Sequence, residues 1–439
     1  LSPSTNKLSI LVVGSGGREH ALVWKLAQSP RAGRIFAAPG NPGMAALATL
    51  VPIAAGDVEQ LAAFALRERI DLTVVGPEQP LADGIVNRFR EAGLAVFGPT
   101  KEAAALEWSK AFAKDFMARH TIPTAGYASF GPGDHAAAQH YVETCDLPVV
   151  VKADGLAAGK GVIICGTRSE ARAGLELLAD PRAFGSAGST IIVEECMTGE
   201  EASVFAVTDG HDAVVLAPAQ DHKRVNDGDE GKNTGGMGAY APAPVVTTLI
   251  LERVRREILL PTLRGMTEEG RTYTGCLYIG LMITDDGPKV VEYNCRFGDP
   301  ETQVVLPLYA GDLASLFLAA STGSVGSVNE SADPRGSAAC VVLASGGYPD
   351  AYESGKTIHG LAEATKAEGV VVFHAGTQRA ADGSIATSGG RVLGVTAYSS
   401  TAPLRYVVQQ AYDAVAKISF ERMHFRRDIG WRALAREHT

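Results

Sequence analysis

The chain has 439 residues, 46% of them hydrophobic, enough to bury sizeable cores and to divide into about three domains. Forty basic residues against 49 acidic ones give a net charge of −9, which excludes the basic footprint of a general nucleic-acid binder but leaves local phosphate sites open. No apolar run approaches the roughly 20 residues that a membrane helix needs, and six cysteines without a C-x-x-C pair, with no signal peptide in view, point to a reducing cytoplasm.

The first hundred residues alternate strand and helix. Leu8 to Val13 reads as a short apolar strand, and Glu19 to Ala27 carries helical spacing after a glycine turn. Arg34 to Ala38, Leu72 to Val75 and Ala95 to Phe97 read as further strands, the last two ending at Gly76-Pro77-Glu78 and Gly98-Pro99-Thr100. Repeated β-α units predict a parallel sheet flanked by helices over residues 1–107, with ligands beyond the carboxyl ends of its strands.

A helix over Ser109 to His120 follows. Val149 to Lys152 and Val162 to Cys165 read as a hairpin around a glycine loop, with a helix over Ser169 to Leu178 and a strand over Thr190 to Glu195. These predict a small α/β module, 128–200, inserted into a central body formed by 108–127 and 201–330. The body takes strands Ala202 to Thr208, Ala213 to Leu216, Cys276 to Thr284 and Lys289 to Asn294, and one helix, Leu249 to Arg264. The stretch from Gln220 to Gly238 reads as a polar loop of about twenty residues, a length that marks functional or disordered segments. Thr322 to Gly336 is Gly/Ser/Asp-rich and reads as a linker. Beyond it, Ala338 to Leu343, Val370 to Ala375, Arg391 to Ala397 and a helix over Ala402 to Ile418 predict a small C-terminal α+β domain, 331–439.

The densest chemistry lies in Val291 to Thr302. Strand alternation puts Glu292 and Asn294 on one face, a carboxylate and an amide oxygen suited to a Mg²⁺ that keeps its other sites for water and phosphate. Arg296 follows with a planar fork that fits a carboxylate or phosphate. The Gly155 to Gly161 loop after Lys152 lets backbone N–H groups approach phosphate oxygens, but it is not a Walker A loop, because Gly161 stands where Ser or Thr belongs. Gly14-Ser15-Gly16-Gly17-Arg18-Glu19 fails the dinucleotide fingerprint, since Glu19 occupies the third glycine position. A glycine turn at a helix N-terminus beside Arg18 still suits a mononucleotide or sugar phosphate.

These segments together resemble the phosphoribosylamine–glycine ligase (glycinamide ribonucleotide synthetase) family of the ATP-grasp superfamily. The likeness runs from Gly14 to Arg432 and is carried by Asp221-His222-Lys223-Arg224, Asn233 to Tyr240 and Cys295 to Thr302, in that order. It implies an α/β multi-domain fold: a Rossmann-like pre-ATP-grasp domain, an ATP-grasp domain with an inserted lid subdomain, and a C-terminal α+β domain. The implied reaction has ATP phosphorylate the carboxylate of glycine, after which the amine of 5-phosphoribosylamine attacks the glycyl phosphate. ATP and Mg²⁺, with Mn²⁺ as a substitute ion, are the implied cofactors. Glycine and 5-phosphoribosylamine are the implied partners, with no nucleic acid, no membrane and a monomeric, cytoplasmic enzyme.

Carried over by motif, the resemblance makes Lys110 and Lys152 the lysines reaching ATP phosphates, with Gly159, Lys160 and Gly161 in the lid loop. Glu194 falls near the adenine amino group, the backbone of Glu195 and Met197 on the ring edge, and Glu201 on the ribose. Glu292 and Asn294 match the metal ligands. Arg296, with Asp299 and Glu301 in the turn after it, faces glycine and the acyl phosphate. Gly16, Gly17 and Arg18, with Asp221, Lys223, Asn233, Gly235 and Gly236, are the choices for phosphoribosylamine; Arg296, Lys223 and Asp221 are the candidate catalytic groups. Trp108, Cys196, Glu230 and Lys232 depart from the usual residues. A sister ligase, such as a carboxylase acting on aminoimidazole ribonucleotide or biotin, is the nearest alternative, and the Cys295 to Thr302 turn tells against it. A non-catalytic ATP-grasp nucleotide binder is the other; it would have no need to keep Lys152, Glu292 and Asn294 together.

Overall fold

The computed structural model describes residues 7–155, 161–180, 188–328 and 336–436. Leu8–Gly14, fully buried over most of its length, is the centre of a five-stranded parallel sheet ordered Thr49–Leu50, Ala32–Pro39, Leu8–Gly14, Leu72–Val75, Val96–Phe97. Strands buried on both faces are what near-continuous Val/Ile/Leu runs produce. Gly17–Leu26 leaves the central strand through the glycine turn, and Val58–Glu68 starts at Asp57, whose side chain caps the Gln60 N–H.

The inserted module is a four-stranded antiparallel sheet, Tyr127–Phe130, Ile191–Glu195, Val149–Ala153, Val162–Cys165, as the hairpin reading anticipates. His135–Thr144 and Arg168–Ala179 cover it and enclose a separate small core around Val142, Val151 and Leu175. The central sheet, Ala213–Val215, Glu200–Thr208, Gly275–Thr284, Gly287–Asn294, is antiparallel throughout. Its apolar faces merge with those of the N-terminal sheet in two shared cores, one containing Leu11, Val204 and Ile279, the other Val12, Phe205 and Phe317.

Two expectations are corrected. The single helix over Leu249 to Arg264 is interrupted: Thr248–Arg253 passes through a π-helical turn, Val254–Leu259, into Leu260–Glu268. Pro261 has no N–H to give the preceding turn, and a wider turn absorbs the missing bond. The polar stretch after Gln220 is ordered as strands. Gln220–Asp221 and Gly238–Ala241 join the C-terminal sheet, which runs Gln220–Asp221, Gly238–Ala241, Ser337–Ala344, Arg391–Ser399, Val370–His374, while Arg224–Asn226 pairs with Glu230–Asn233 in a hairpin.

That hairpin lacks an apolar face, and ion pairs hold it. Arg426, fully buried, donates two 2.7 Å bonds to Asp428 and one of 2.9 Å to Asp229, which also accepts from Arg432 at 2.5 Å. The Gly430 N–H donates to Nε2 of His222 at 3.0 Å, tying the same C-terminal segment to the residue between Asp221 and Lys223. Leu404–Val415 packs on the other side of the sheet. Among the described residues no single helix is long and apolar enough to cross a membrane.

Candidate active site

Glu292 and Asn294 lie opposite Gly280 and Tyr278 on the neighbouring strand. Both are partly exposed while Tyr293 and Cys295 between and after them are buried, so the acid and the amide share the open face. A Cβ on Gly280 would stand 3.2 Å from Glu292 Cγ, so the glycine leaves the carboxylate room. The pocket in front is lined by Glu201, Ser203, Asp221, Lys223, Tyr278 and Glu292. Burial pushes the Asp221 carboxyl up to about 7, with Lys223 opposing and Glu301 and Glu201 adding to the rise. Burial works against the Lys223 ammonium, but Glu201 and Asp221 outweigh it and hold its pKa well above the usual value. The Glu201 carboxylate is bonded to that ammonium, which holds it below the ordinary range.

Lys110 Nζ donates to the Gly155 carbonyl at 2.7 Å, at the root of the glycine loop. Lys152 Nζ donates to Glu194 Oε2 at 2.9 Å, and Lys114 Nζ lies 3.2 Å from the same oxygen. Lys114 was not among the sequence candidates; its signal is the i,i+4 spacing from Lys110, which sets both on one face of Lys110–Arg119. The Glu195 N–H is spent on the Gly126 carbonyl at 2.8 Å, and Met197 is partly exposed in the turn beyond. Gly161 accepts from the Ala153 N–H at 2.9 Å; Gly159 and Lys160 lie outside the described residues.

Arg296 is clamped. Its Nη2 meets Glu107 Oε1 at 2.9 Å and its Nε meets Glu78 Oε2 at 3.2 Å. Glu107, which also accepts the Cys295 N–H at 2.7 Å, has a side chain 7% exposed against 38% for Glu78. Glu107 is therefore the fixed anchor, and Glu78 is the contact that solvent or a ligand can reach. Burial raises the Glu107 carboxyl, while the two arginines near Glu78, Arg296 and Arg18, outweigh burial and keep that acid below its usual range. Sequence reasoning reached Glu78 only as part of a strand-end turn, and Glu107 not at all.

The glycine turn before Gly17–Leu26 is occupied by the protein's own acids. Glu19 Oε2 takes the Gly16 N–H at 2.5 Å, and Asp299 Oδ2 takes the Arg18 N–H at 3.3 Å. Arg18 itself is buried, with Nε on Glu19 at 2.5 Å and Nη1 on the Phe297 carbonyl at 3.2 Å. Arg391, another residue the sequence left unmarked, joins two expected turns: its Nη1 donates to the Gly235 carbonyl at 2.5 Å and the Asp299 carbonyl at 2.6 Å. Gly236 has φ +110°, and a Cβ there would meet Pro300 Cδ at 2.4 Å, so the two turns approach this closely only with glycine. Asn233 is exposed at the hairpin end. Glu301 is buried and accepts from the Tyr278 hydroxyl at 3.0 Å and the Ser203 hydroxyl at 3.3 Å. The structure thus joins Glu201, Asp221, Lys223 and Glu292 in one pocket and sets Arg296, Asp299 and Arg391 beside the glycine turn.

Three family models cover the chain: the N domain of phosphoribosylglycinamide synthetase over residues 8–107, its ATP-grasp (A) domain over 108–302, and its C domain over 338–432. The phosphoribosylamine–glycine ligase of Chlorobaculum tepidum is 52% identical over 97% of this chain and 100% of its own length. That of Vibrio vulnificus is 53% identical over 98% of this chain and 99% of its own. Among solved structures, phosphoribosylamine–glycine ligase from Thermotoga maritima superposes with a TM-score of 0.82 at 34% identity, covering 96% of this chain and 100% of that one. The biotin carboxylase domain of Hydrogenobacter thermophilus 2-oxoglutarate carboxylase, in complex with MgADP, shares the fold at TM-score 0.73 and 16% identity, over 95% of this chain and 91% of that one.

Proposed function

The chain belongs to the phosphoribosylamine–glycine ligase family of ATP-grasp enzymes, and from that premise we propose how its residues carry out the reaction. It is an ATP-binding ligase that forms glycinamide ribonucleotide in purine biosynthesis. Glycine and 5-phosphoribosylamine are its proposed substrates, and the cytoplasm is its proposed compartment.

ATP lies between the lid sheet and the central sheet, with Lys110 and Lys152 toward its phosphates, Glu194 toward the adenine and Glu201 toward the ribose. Glu292 and Asn294 fit a Mg²⁺. No cluster of three His, Cys, Asp or Glu side chains competes for an ion among the described residues, and two oxygen ligands on an open face leave the rest of the sphere to phosphates and water. Bound there, the ion would neutralise charge on the transferring phosphoryl group. Arg296, held rigid by Glu107, offers its Glu78-facing edge to the glycine carboxylate, which attacks the terminal phosphorus as ADP leaves. The amine of phosphoribosylamine then attacks the glycyl carbonyl and phosphate departs. Lys223 stands by to balance charge on the leaving phosphate, and the Asp221 carboxylate to take the amine's proton. Asp299 and Glu301 stand with Arg296 on the glycine side, and the Gly16-Gly17-Arg18 turn frames the second substrate, with Asn233, Gly235 and Gly236 across from it and Arg391 bracing both sides.

One observation carries this reading: Glu292, two residues before Asn294 on the same strand face, shares one pocket with Glu201, Asp221 and Lys223. Its test is ADP release in the presence of ATP, Mg²⁺, glycine and freshly made phosphoribosylamine, with equimolar glycinamide ribonucleotide formed. Release that ignores omission of either substrate would overturn it.

A further inference from the structure

Two lysines share one buried carboxylate, and they are not equivalent. Lys114 is 2% exposed, and its three ammonium hydrogens have three acceptors: Glu194 Oε2 at 3.2 Å, Thr124 Oγ1 at 2.8 Å and the Ala125 carbonyl at 3.2 Å. It is saturated and has no room to swing toward a ligand. Lys152, on the strand that leads into the glycine loop, has Glu194 as its one ammonium partner among the described residues, at 2.9 Å.

We propose that Lys114 is a positioning residue: it is the resident counter-ion of Glu194, and it frees Lys152 to leave that carboxylate for the ATP phosphates. This rests on the nucleotide roles read above for Lys152 and Glu194. The physical need is clear. A carboxylate 4% exposed cannot stand without a cation, because an unpaired buried charge costs several kcal/mol. With Lys152 as its sole partner, Glu194 would hold that lysine back, and binding a triphosphate would strip the acid bare. With Lys114 fixed behind it, Glu194 stays neutralised and oriented in both states. The Thr124 hydroxyl that receives Lys114 also donates to the Val290 carbonyl at 2.7 Å, so the anchor is tied to the strand that carries Glu292. Burial outweighs the pull of Glu194 and brings Lys114 down to about 8, which still leaves it charged at neutral pH.

The test compares ligands that do and do not recruit Lys152, by calorimetry on the whole chain. In Lys114→Met, affinity for a non-hydrolysable ATP analogue should fall at least tenfold, while adenosine affinity stays within twofold, since Lys152 then remains on Glu194. Adding Glu194→Gln should cancel the Lys114→Met effect, because a neutral amide needs no counter-ion. Lys114→Gln, which is shorter and keeps a polar end near Thr124, supplies a second variant should Lys114→Met not fold. Equal losses for ATP and adenosine, or an undiminished effect in the Glu194→Gln background, would leave Lys114 a mere brace for the Thr124–Ala125 turn and overturn the proposal. If Lys152→Met itself binds ATP normally, the underlying nucleotide reading falls, and this proposal with it. Normal dependence on Lys152 with indifference to Lys114 sinks the proposal alone.

Discussion

Mild acid should loosen the contact between the N-terminal and C-terminal sheets through a pair of buried imidazoles. His20, on Gly17–Leu26, accepts the His374 N–H at its Nδ1 at 2.8 Å, and the two rings lie 5.8 Å apart beside Phe373. Burial lowers His20 from 6.5 to about 3, helped by His374, and burial alone lowers His374 to about 4. Both are neutral when folded, whereas the unfolded chain takes up their protons below about pH 6.5. Stability is therefore fully present above that value and lost as pH falls toward the folded pKa values. At pH 5 each histidine contributes a loss of about 1.5 pK units at 1.36 kcal/mol per unit, or about 2 kcal/mol, and the pair up to about 4 kcal/mol. Urea titrations at pH 7, 6 and 5 measure this in the wild type and in His20→Asn, whose amide oxygen can replace Nδ1 as acceptor but does not titrate. The variant should lose about 2 kcal/mol less than the wild type between pH 7 and 5. Parallel pH dependences for the two proteins would refute the assignment.

Glu292→Ala should lower turnover more than about a hundredfold with an unchanged melting temperature, because it removes a proposed ion ligand from an open strand face; steady-state ADP release and calorimetry read both. Arg296→Lys should raise the glycine KM by about tenfold, the worth of one lost charge-assisted hydrogen bond, since an ammonium cannot serve Glu107 and a carboxylate together. Arg426→Met should destabilise the Arg224–Asn233 hairpin by about 3 kcal/mol, the lower end for breaking a buried pair, because Asp229 and Asp428 keep side-chain exposures of 23% and 22%. Amide exchange in that hairpin should speed up while the lid sheet keeps its protection.

The sheets were legible because their strands are apolar runs: Leu8–Gly14, Leu72–Val75 and Gly275–Thr284 need only periodicity and turn residues to be found. The Arg224–Asn233 hairpin was not, since charge holds it, and its partners Arg426 and Arg432 lie about two hundred residues downstream. Thr302–Leu308, buried nearly all round, and Leu313–Thr322, whose open side carries Leu318 as well as Ser315, also escaped notice because neither sequence shows a clear amphipathic period. At the site, residues that touch solvent near a turn, such as Glu292 and Arg296, announced themselves by type and spacing. Glu107 and Arg391 did not, and Lys114 offered only its i,i+4 spacing from Lys110. Each acts by holding another residue, Arg296, the Gly235–Asp299 pair and Glu194 respectively, and such relations exist only once the chain is folded.

The ribbon formed by Gln220–Asp221 and Gly238–Ala241 edges a sheet whose other members come from the last third of the chain. Between those two short strands hang His222, Lys223 and the glycine-rich turn. Grafting the tail of a distant relative onto this protein would thus re-seat that loop on foreign strands, even with every residue of the loop preserved. Evolution and engineers alike must move the two pieces together.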